Sequence, residues 1–430
     1  MKKVLVIAAL YGSKRVLSLA KHLPEYGWEP IIVTPPIDWQ PTVETPKTLQ
    51  MPDLPFDVIV TGYCDIASFA KKIVKFDTTI SPRLQVKKLL GLNSGKSWVD
   101  VLFNLGGMFL NYPDTHRGWT KYAIKAGEKC IRDGGIDAIL SICPVTSHIV
   151  ASKLKEQHKI LWIADFPDLW SQNYNYTYGK LRRYVDRKLE KKTMRNVDII
   201  TTSTPSLDKL KGLHYGKPVH TITFGYDSKE YESSHVELTH KFTITYTGTI
   251  YEGKQDPFKL LSALSELIAN GDIEQADCDV RFYGQYAHWL DKKIQSLGLS
   301  SIVSQHRAIP HKDIMDIQKS SQILLLLDWD DMRETGAYTA KIFEYLGAGR
   351  PVLATGGMHG NAISDLIKET DAGIHAPTVG EVKNALLEYY QEYKSKGMIE
   401  YRGYKDGTYK YSQQEMAKSF AGLLSGSQLK

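Results

Sequence analysis

The stretch GAYTAKIFEYLGAGRPVLA, residues 336–354, decides how this chain is read. Ala337, Tyr338 and Thr339 form a short loop, and from Ala340 to Leu346 the apolar side chains recur at helical spacing. Gly347 and Gly349 stop the helix, and Pro351-Val352-Leu353-Ala354 reads as a buried strand. A helix that opens on small residues presents unpaired backbone N–H groups and the positive end of its dipole, which together favour a phosphate. Lys341 belongs to the same mouth, and Glu344 stands about a turn and a half inside the helix, within reach of whatever hangs beyond that phosphate. A diphosphate at the mouth and a ribose diol on the carboxylate would make this a nucleotide-sugar site.

Outward from that stretch, short β-rich apolar runs alternate with helical patterns over nearly the whole chain. One series of strands is expected at residues 4–10, 30–34, 58–62, 138–143, 160–165, 198–203 and 219–225. A second series is expected at 242–248, 279–284, 302–308, 323–328 and 351–355. Such alternation specifies parallel sheets covered by helices on both faces, and two series in one chain predict two doubly wound domains. The polar stretch 227–237 lacks periodicity and marks the break. We therefore expect an α/β chain with an N-terminal domain over 1–230, a second over 238–405, and a helix within 406–430 that crosses back to the first. In open parallel sheets ligands bind beyond the carboxyl ends of the strands, so two facing sheets would put the site in a cleft between them.

Size and composition are consistent with this reading. The 430 residues suffice for two cores, and 42% hydrophobic with 24% charged residues is ordinary for a soluble globular protein. No apolar run reaches the ~18 residues that span a bilayer, and Met1-Lys2-Lys3 leads directly into a strand pattern, so a cytoplasmic location is expected. Cys64, Cys130, Cys143 and Cys278 never form a C-x-x-C, which suggests neither a disulfide framework nor a zinc site. The net charge of +6 does not call for nucleic acid, but between Lys71 and Lys125 there are ten Lys/Arg against three acids around the apolar run 98–110. That segment reads either as core flanked by solvated charge or as a peripheral contact with the inner face of a membrane.

The strand ends carry the other candidates. Tyr11 and Gly12 follow the first strand, as an acceptor loop or as a plain turn; one glycine is far from a G-x-G-x-x-G fingerprint. WIADFPDLW, residues 162–170, sets Asp165 and Asp168 at the exit of a buried strand, where an acid is costly unless it binds something. Either acid is a catalytic candidate or a structural cap or ion-pair partner, and His148, after the preceding strand, is a third group that reaches the same edge or serves the core. In the second series Gly248 allows close backbone approach and Lys254 offers a mobile charge for phosphate. Arg307 opens a loop suited to a nucleotide base. Asp328-Trp329-Asp330 has the D-x-D spacing of some metal-dependent sugar transferases but falls late in the chain, and no metal is expected there.

On residues 246–254, 341–353 and 197–203 the chain resembles the donor half of family-4 glycosyltransferases, retaining enzymes of GT-B fold. The first domain resembles a branch of that family from surface-polysaccharide synthesis, on residues 20–30 and 162–170. The resemblance implies that Glu344 binds the donor ribose, that Lys254 contacts the donor diphosphate, and that Asp165 stands where many members place a cleft histidine. Three departures stand out. Gly336 replaces the first glutamate of the family's pair, Thr249 stands where an arginine often accompanies the lysine, and the N-terminal loop lacks a glycine pair. The resemblance further implies metal-independent, retaining sugar transfer from a nucleotide diphosphate-sugar, with no cofactor, to a glycan or lipid-linked acceptor. The alternatives are a nucleotide-sugar epimerase or hydrolase of the same fold and a catalytically silent assembly partner.

Overall fold

The computed structural model describes residues 1–9, 13–36, 56–64, 112–173, 179–204, 207–214, 216–232, 236–330 and 338–426. The chain divides into two compact units: Met1–Ser203 with Leu207–Ile222 and Ala417–Lys430, and Thr204–Ser206 with Thr223–Met416.

In the first unit the strands are β1 (Lys2–Ala8), β2 (Trp28–Thr34), β3 (Asp57–Val60), β4 (Ala138–Ile142), β5 (Leu161–Phe166), β6 (Ile199–Thr202) and β7 (Val219–Thr221). They pair in parallel in the order β3-β2-β1-β4-β5-β6-β7. Its helices are α1 (Lys14–His22), α2 (Thr120–Gly134), α3 (Val145–His158), α4 (Lys180–Thr193) and α5 (Leu207–Leu213). Residues 4–9 of β1 and its exit are buried without alternation, as a strand covered on both faces must be. Trp119, Trp162 and Phe166 fill the core beside it.

The second unit holds β8 (Phe242–Thr247), β9 (Cys278–Gly284), β10 (Val303–Arg307), β11 (Ile323–Leu327), β12 (Val352–Thr355) and β13 (Gly373–Ala376), parallel in the order β10-β9-β8-β11-β12-β13. Its helices are α6 (Ser228–Glu232), α7 (Phe258–Ala269), α8 (His288–Ser296), α9 (His311–Ser320), α10 (Ala340–Ala348), α11 (Ala362–Thr370), α12 (Val379–Lys396) and α13 (Lys405–Tyr409); the helix α14 (Gln413–Leu424) passes into the first unit at Ala417. Gly373–Ala376 is a strand beyond those expected from sequence. It is short and flanked by a helix stop, and only its pairing with β12 makes it one.

Each sheet reverses its winding once. The reversal lies between β1 and β4 in the first unit and between β8 and β11 in the second. Among the described residues no crossover helix fills the space beyond the carboxyl ends of those strand pairs, so the loops there frame a crevice. Residues 8–9 and 143–148 occupy that edge in one unit, residues 248–254 and 328–330 in the other.

Candidate functional site

In the second unit the edge is built on Gly248, the residue after β8. Its φ is 130°, its N–H donates to the Tyr283 carbonyl at 2.7 Å, and a Cβ there would lie 2.2 Å from Lys341 Cε and 3.0 Å from Nζ. Only a glycine lets the Lys341 stem lie so flat on the strand end. The ammonium is 5.5 Å from the Tyr246 ring centroid, and burial lowers its pKa, opposed by the Glu344 carboxylate one turn on. Lys341 also sits in the first turn of α10, where the dipole repels a cation and no acid is present. The N-cap Thr339 makes no side-chain cap bond, and its Oγ1 is buried without a partner. Orphan N–H groups, an idle hydroxyl and a poorly compensated ammonium thus converge where an anion would satisfy all three.

A buried network fixes α10 relative to that strand end. The Thr247 N–H donates to Tyr345 Oη at 3.1 Å, Gln318 Nε2 donates to Thr247 Oγ1 at 2.9 Å, and the Tyr231 hydroxyl donates to Gln318 Oε1 at 3.2 Å. Gly347 lets Tyr226 and Tyr231 pack onto the helix, since a Cβ would meet them at 2.7 and 2.8 Å. Arg350, which follows the helix, is structural: buried, it donates to the carbonyls of Ser321 and Ile399, both at 2.8 Å. Tyr338 joins the core edge-on to Phe343, centroids 5.6 Å apart, and burial pushes its hydroxyl up to about 12. Ala337 and Gly336 lie outside the described residues.

Lys254 places its Nζ 5.2 Å from the Trp329 ring, on which Tyr251 also stacks at 5.9 Å and 21°. The Lys254 carbonyl accepts from Asp330 N at 3.1 Å, so the β8 and β11 loops are tied together across the crevice. The two aspartates of the D-x-D spacing diverge. Asp328 Oδ2 takes a bond from Asn361 Nδ2 at 2.7 Å, while Asp330 Oδ1 takes Lys259 Nζ at 2.6 Å and Gly357 N at 3.1 Å. Arg307 ends β10 in register with Gly284 and is exposed on the same edge. Thus Gly248, Lys254, Arg307, Lys341 and Glu344 all belong to one unit. Gly248, Lys254 and Arg307 line the carboxyl edge of its sheet, and Lys341 reaches that edge from α10.

In the first unit Asp165 is fully buried and committed. Arg15 Nε and Nη2 donate to its two oxygens at 2.6 and 2.9 Å, and Thr201 Oγ1 donates at 2.7 Å. Arg15 Nη2 further donates to the Ile222 carbonyl at 2.8 Å. This clamp ties α1, β5, β6 and the exit of β7, and it gives Asp165 the ion-pair role rather than an open one. Sequence reading misses Arg15. The only hint is its place on the Arg15/Ser18/Leu19/His22 stripe, which is the buried face of α1.

His148 is also interior. It stacks on Phe166 at 4.4 Å, its Nδ1 meets Ser141 Oγ at 2.8 Å, and its Nε2 meets Cys143 Sγ at 3.6 Å. Trp162 Nε1 donates to Ser141 Oγ at 2.9 Å, which leaves the serine proton for Nδ1 and sets the histidine proton on Nε2. The Cys143 thiol then donates to the Asp168 carbonyl at 3.7 Å. Burial drives the His148 pKa down to about 3 and the Cys143 pKa well up, so both are neutral. Asp168 reaches solvent at one side while protein surrounds the rest of its carboxyl, and desolvation raises its pKa. Of the three acid-base candidates, Asp168 is the one that faces outward. Tyr11, Gly12 and residues 71–111 of the basic segment lie outside the described residues; Arg117 lies in the turn before α2, and Lys121 and Lys125 lie within α2.

By sequence the chain matches no family model and no curated protein. By structure it is similar to sucrose-phosphate synthase from Thermosynechococcus elongatus, with a TM-score of 0.58 and 13% identity over 99% of each chain. It is similar to WaaG, a glycosyltransferase involved in lipopolysaccharide biosynthesis, with a TM-score of 0.54 and 10% identity over 99% of this chain and 100% of that one. A candidate UDP-N-acetylglucosamine 2-epimerase from Listeria monocytogenes is similar at 0.51 and 12% identity, over 99% and 96%. The chain has the two-domain, Rossmann-like GT-B fold.

Proposed function

We propose that this protein is a glycosyltransferase that moves a sugar from a nucleoside diphosphate sugar to a hydroxyl of a glycan or lipid-linked acceptor, with the anomeric configuration retained. The observation that carries the reading is Lys341 laid over Gly248 at the N-terminus of α10, a cation that pays for burial unless an anion joins it. The diphosphate would take the free N–H groups of α10 and the Lys341 ammonium, with Lys254 beside it from the β8 loop. In the reaction the anomeric C–O bond to the diphosphate breaks and the electron pair stays on the phosphate oxygen. The acceptor oxygen bonds the same carbon, and its proton passes to the departing diphosphate. Lys341, Lys254 and the helix end stabilise the charge that grows on the leaving group, the part a divalent ion plays in metal-dependent transferases. Glu344 would hold the ribose hydroxyls and Arg307 would flank the base. Asp168 would orient the acceptor, held in place by the Cys143–His148–Ser141 chain behind it.

Calorimetric titration with uridine, guanosine and adenosine diphosphates tests the donor site, because a ligand of the folded state also raises its stability. Absence of binding by every nucleoside diphosphate would sink the proposal. The likeness to a candidate epimerase favours a second reading, conversion of the donor without any acceptor. Incubation with nucleotide sugar alone separates the two, since a transferase leaves the donor's sugar configuration unchanged.

A further inference from the structure

We propose that the outer face of α4 is a docking surface for an anionic lipid bilayer. The helix, KLRRYVDRKLEKKT, is inside out. Its buried positions are Arg182, Asp186, Glu190 and Thr193. Arg182 pairs with Asp186 at 3.1 Å and donates to the Pro113 carbonyl at 2.7 Å, and Glu190 accepts from Ser171 N and meets His214 Nε2, both at 3.1 Å. Polar contacts and Leu189, which packs against the core, therefore hold the helix to its unit, while its other apolar residues point away. Leu181, Tyr184 and Val185 are 74%, 56% and 40% exposed.

Single exposed apolar side chains need no explanation, but these three occupy positions i, i+3 and i+4 and form one patch. Their surroundings are cationic. Lys180, Arg187, Lys188, Lys191 and Lys192 are exposed, while both acids of the helix, Asp186 and Glu190, face inward. Lys188 Nζ lies 4.6 Å from the Tyr184 ring. Nucleic acid would match the charge but not the aliphatic patch; a bilayer with anionic headgroups takes both at once, the patch at the acyl boundary and the cations among the headgroups. No described helix is long and apolar enough to cross a membrane, so this contact would be peripheral.

The placement has a use. Arg182 in the first turn of α4 donates to the Pro113 carbonyl, next to Asp114, whose carboxylate accepts from Thr146 N at the start of α3, so this end of α4 lies beside the loop that leaves β4 at the carboxyl edge of the sheet. Bilayer contact there would present a lipid-linked hydroxyl to that edge. This benefit rests on the proposed transfer reaction; the contact itself does not.

Co-sedimentation of the full chain with vesicles of phosphatidylcholine, with and without about 30% phosphatidylglycerol, tests the surface. Binding should require the anionic lipid and fall at least about tenfold between about 0.1 M and 0.5 M salt. The variants Leu181→Ser/Tyr184→Ser/Val185→Ser and Lys188→Glu/Lys191→Glu should each lose about tenfold or more in vesicle affinity, with unchanged melting temperature and unchanged nucleotide binding. Lys341→Met should bind vesicles normally, which separates this proposal from the donor reading. No binding by the wild-type chain, or binding by both variants as tight as the wild type's, overturns it. So does a shift from dimer to monomer in the apolar variant by sedimentation velocity, which would make the face an interface between copies of the chain.

Discussion

Replacing Lys341 by methionine separates folding from ligand binding at a single side chain. The stem is similar in length and fills the same space over Gly248, but the charge is gone. In the unliganded protein that charge is unwelcome on two counts, since burial lowers its pKa and the α10 dipole opposes it by about 0.3–1 kcal/mol. Glu344, three residues on, returns about 0.2–0.5 kcal/mol. Lys341→Met should therefore be as stable as the wild type or more stable by less than about 1 kcal/mol. For a unit of this size that is a rise of about 2–4 °C at most. With a diphosphate in place the lysine contributes a charge-assisted hydrogen bond, about 1.5–3 kcal/mol. Its loss should weaken nucleoside diphosphate binding about ten- to a hundredfold. Calorimetric titration reads the affinity and differential scanning fluorimetry the stability. Unchanged affinity refutes the anion-site argument; a loss of several degrees in the unliganded state shows the lysine to be a packing element instead.

Other perturbations probe the same geometry. Gly248→Ala forces a φ of 130° on an alanine, at about 1–3 kcal/mol, and displaces the Lys341 stem. Nucleotide affinity should fall as in Lys341→Met, and the double variant should bind no worse than either single one, because both act through one ammonium. Asp165→Ala leaves the Arg15 guanidinium buried without its counter-charge and should cost about 3–5 kcal/mol in thermal unfolding, with much of it recovered in Arg15→Met/Asp165→Leu. Activity lost at full stability would instead make Asp165 catalytic. His148 stays neutral in the fold down to about pH 3, whereas an unfolded histidine takes up its proton near 6.5, so acid favours unfolding across that window. Between pH 7 and pH 5 the folding constant of the first unit should drop about thirtyfold more in the wild type than in His148→Gln, read from hydrogen exchange of β4 and β5. An equal drop in both proteins would show that His148 is already protonated or never was protected.

Much of the fold is legible in the sequence because central strands such as β1, β4, β11 and β12 are buried on both faces and read as apolar runs between turn residues. The segment from Ala340 to Ala354 folds as helix, αL glycine at Gly349 and strand, since each step rests on neighbours in sequence. Pairings that no local pattern contains escape such a reading. Asp165 is recognisable as an acid that needs a partner, but Arg15 stands 150 residues earlier and no spacing connects them. Gly248 reads as room for a ligand's approach, and the structure fills that room with Lys341. The cation over Trp329 and the inward turn of the α4 acids likewise depend on which loops and faces the sheet order brings together.

The first unit is closed by residues that follow the second unit in the chain. Phe420 lies 5.3 Å from the Arg15 guanidinium, and Ser425 Oγ accepts from Trp28 Nε1 at 3.2 Å, so α14 finishes a packing surface begun some 400 residues before. All of the second unit is synthesised between the two. The first unit therefore waits, with the Phe420 seat open, through the synthesis of its sister unit, and changes in α14 will act on the packing around Arg15 and Trp28.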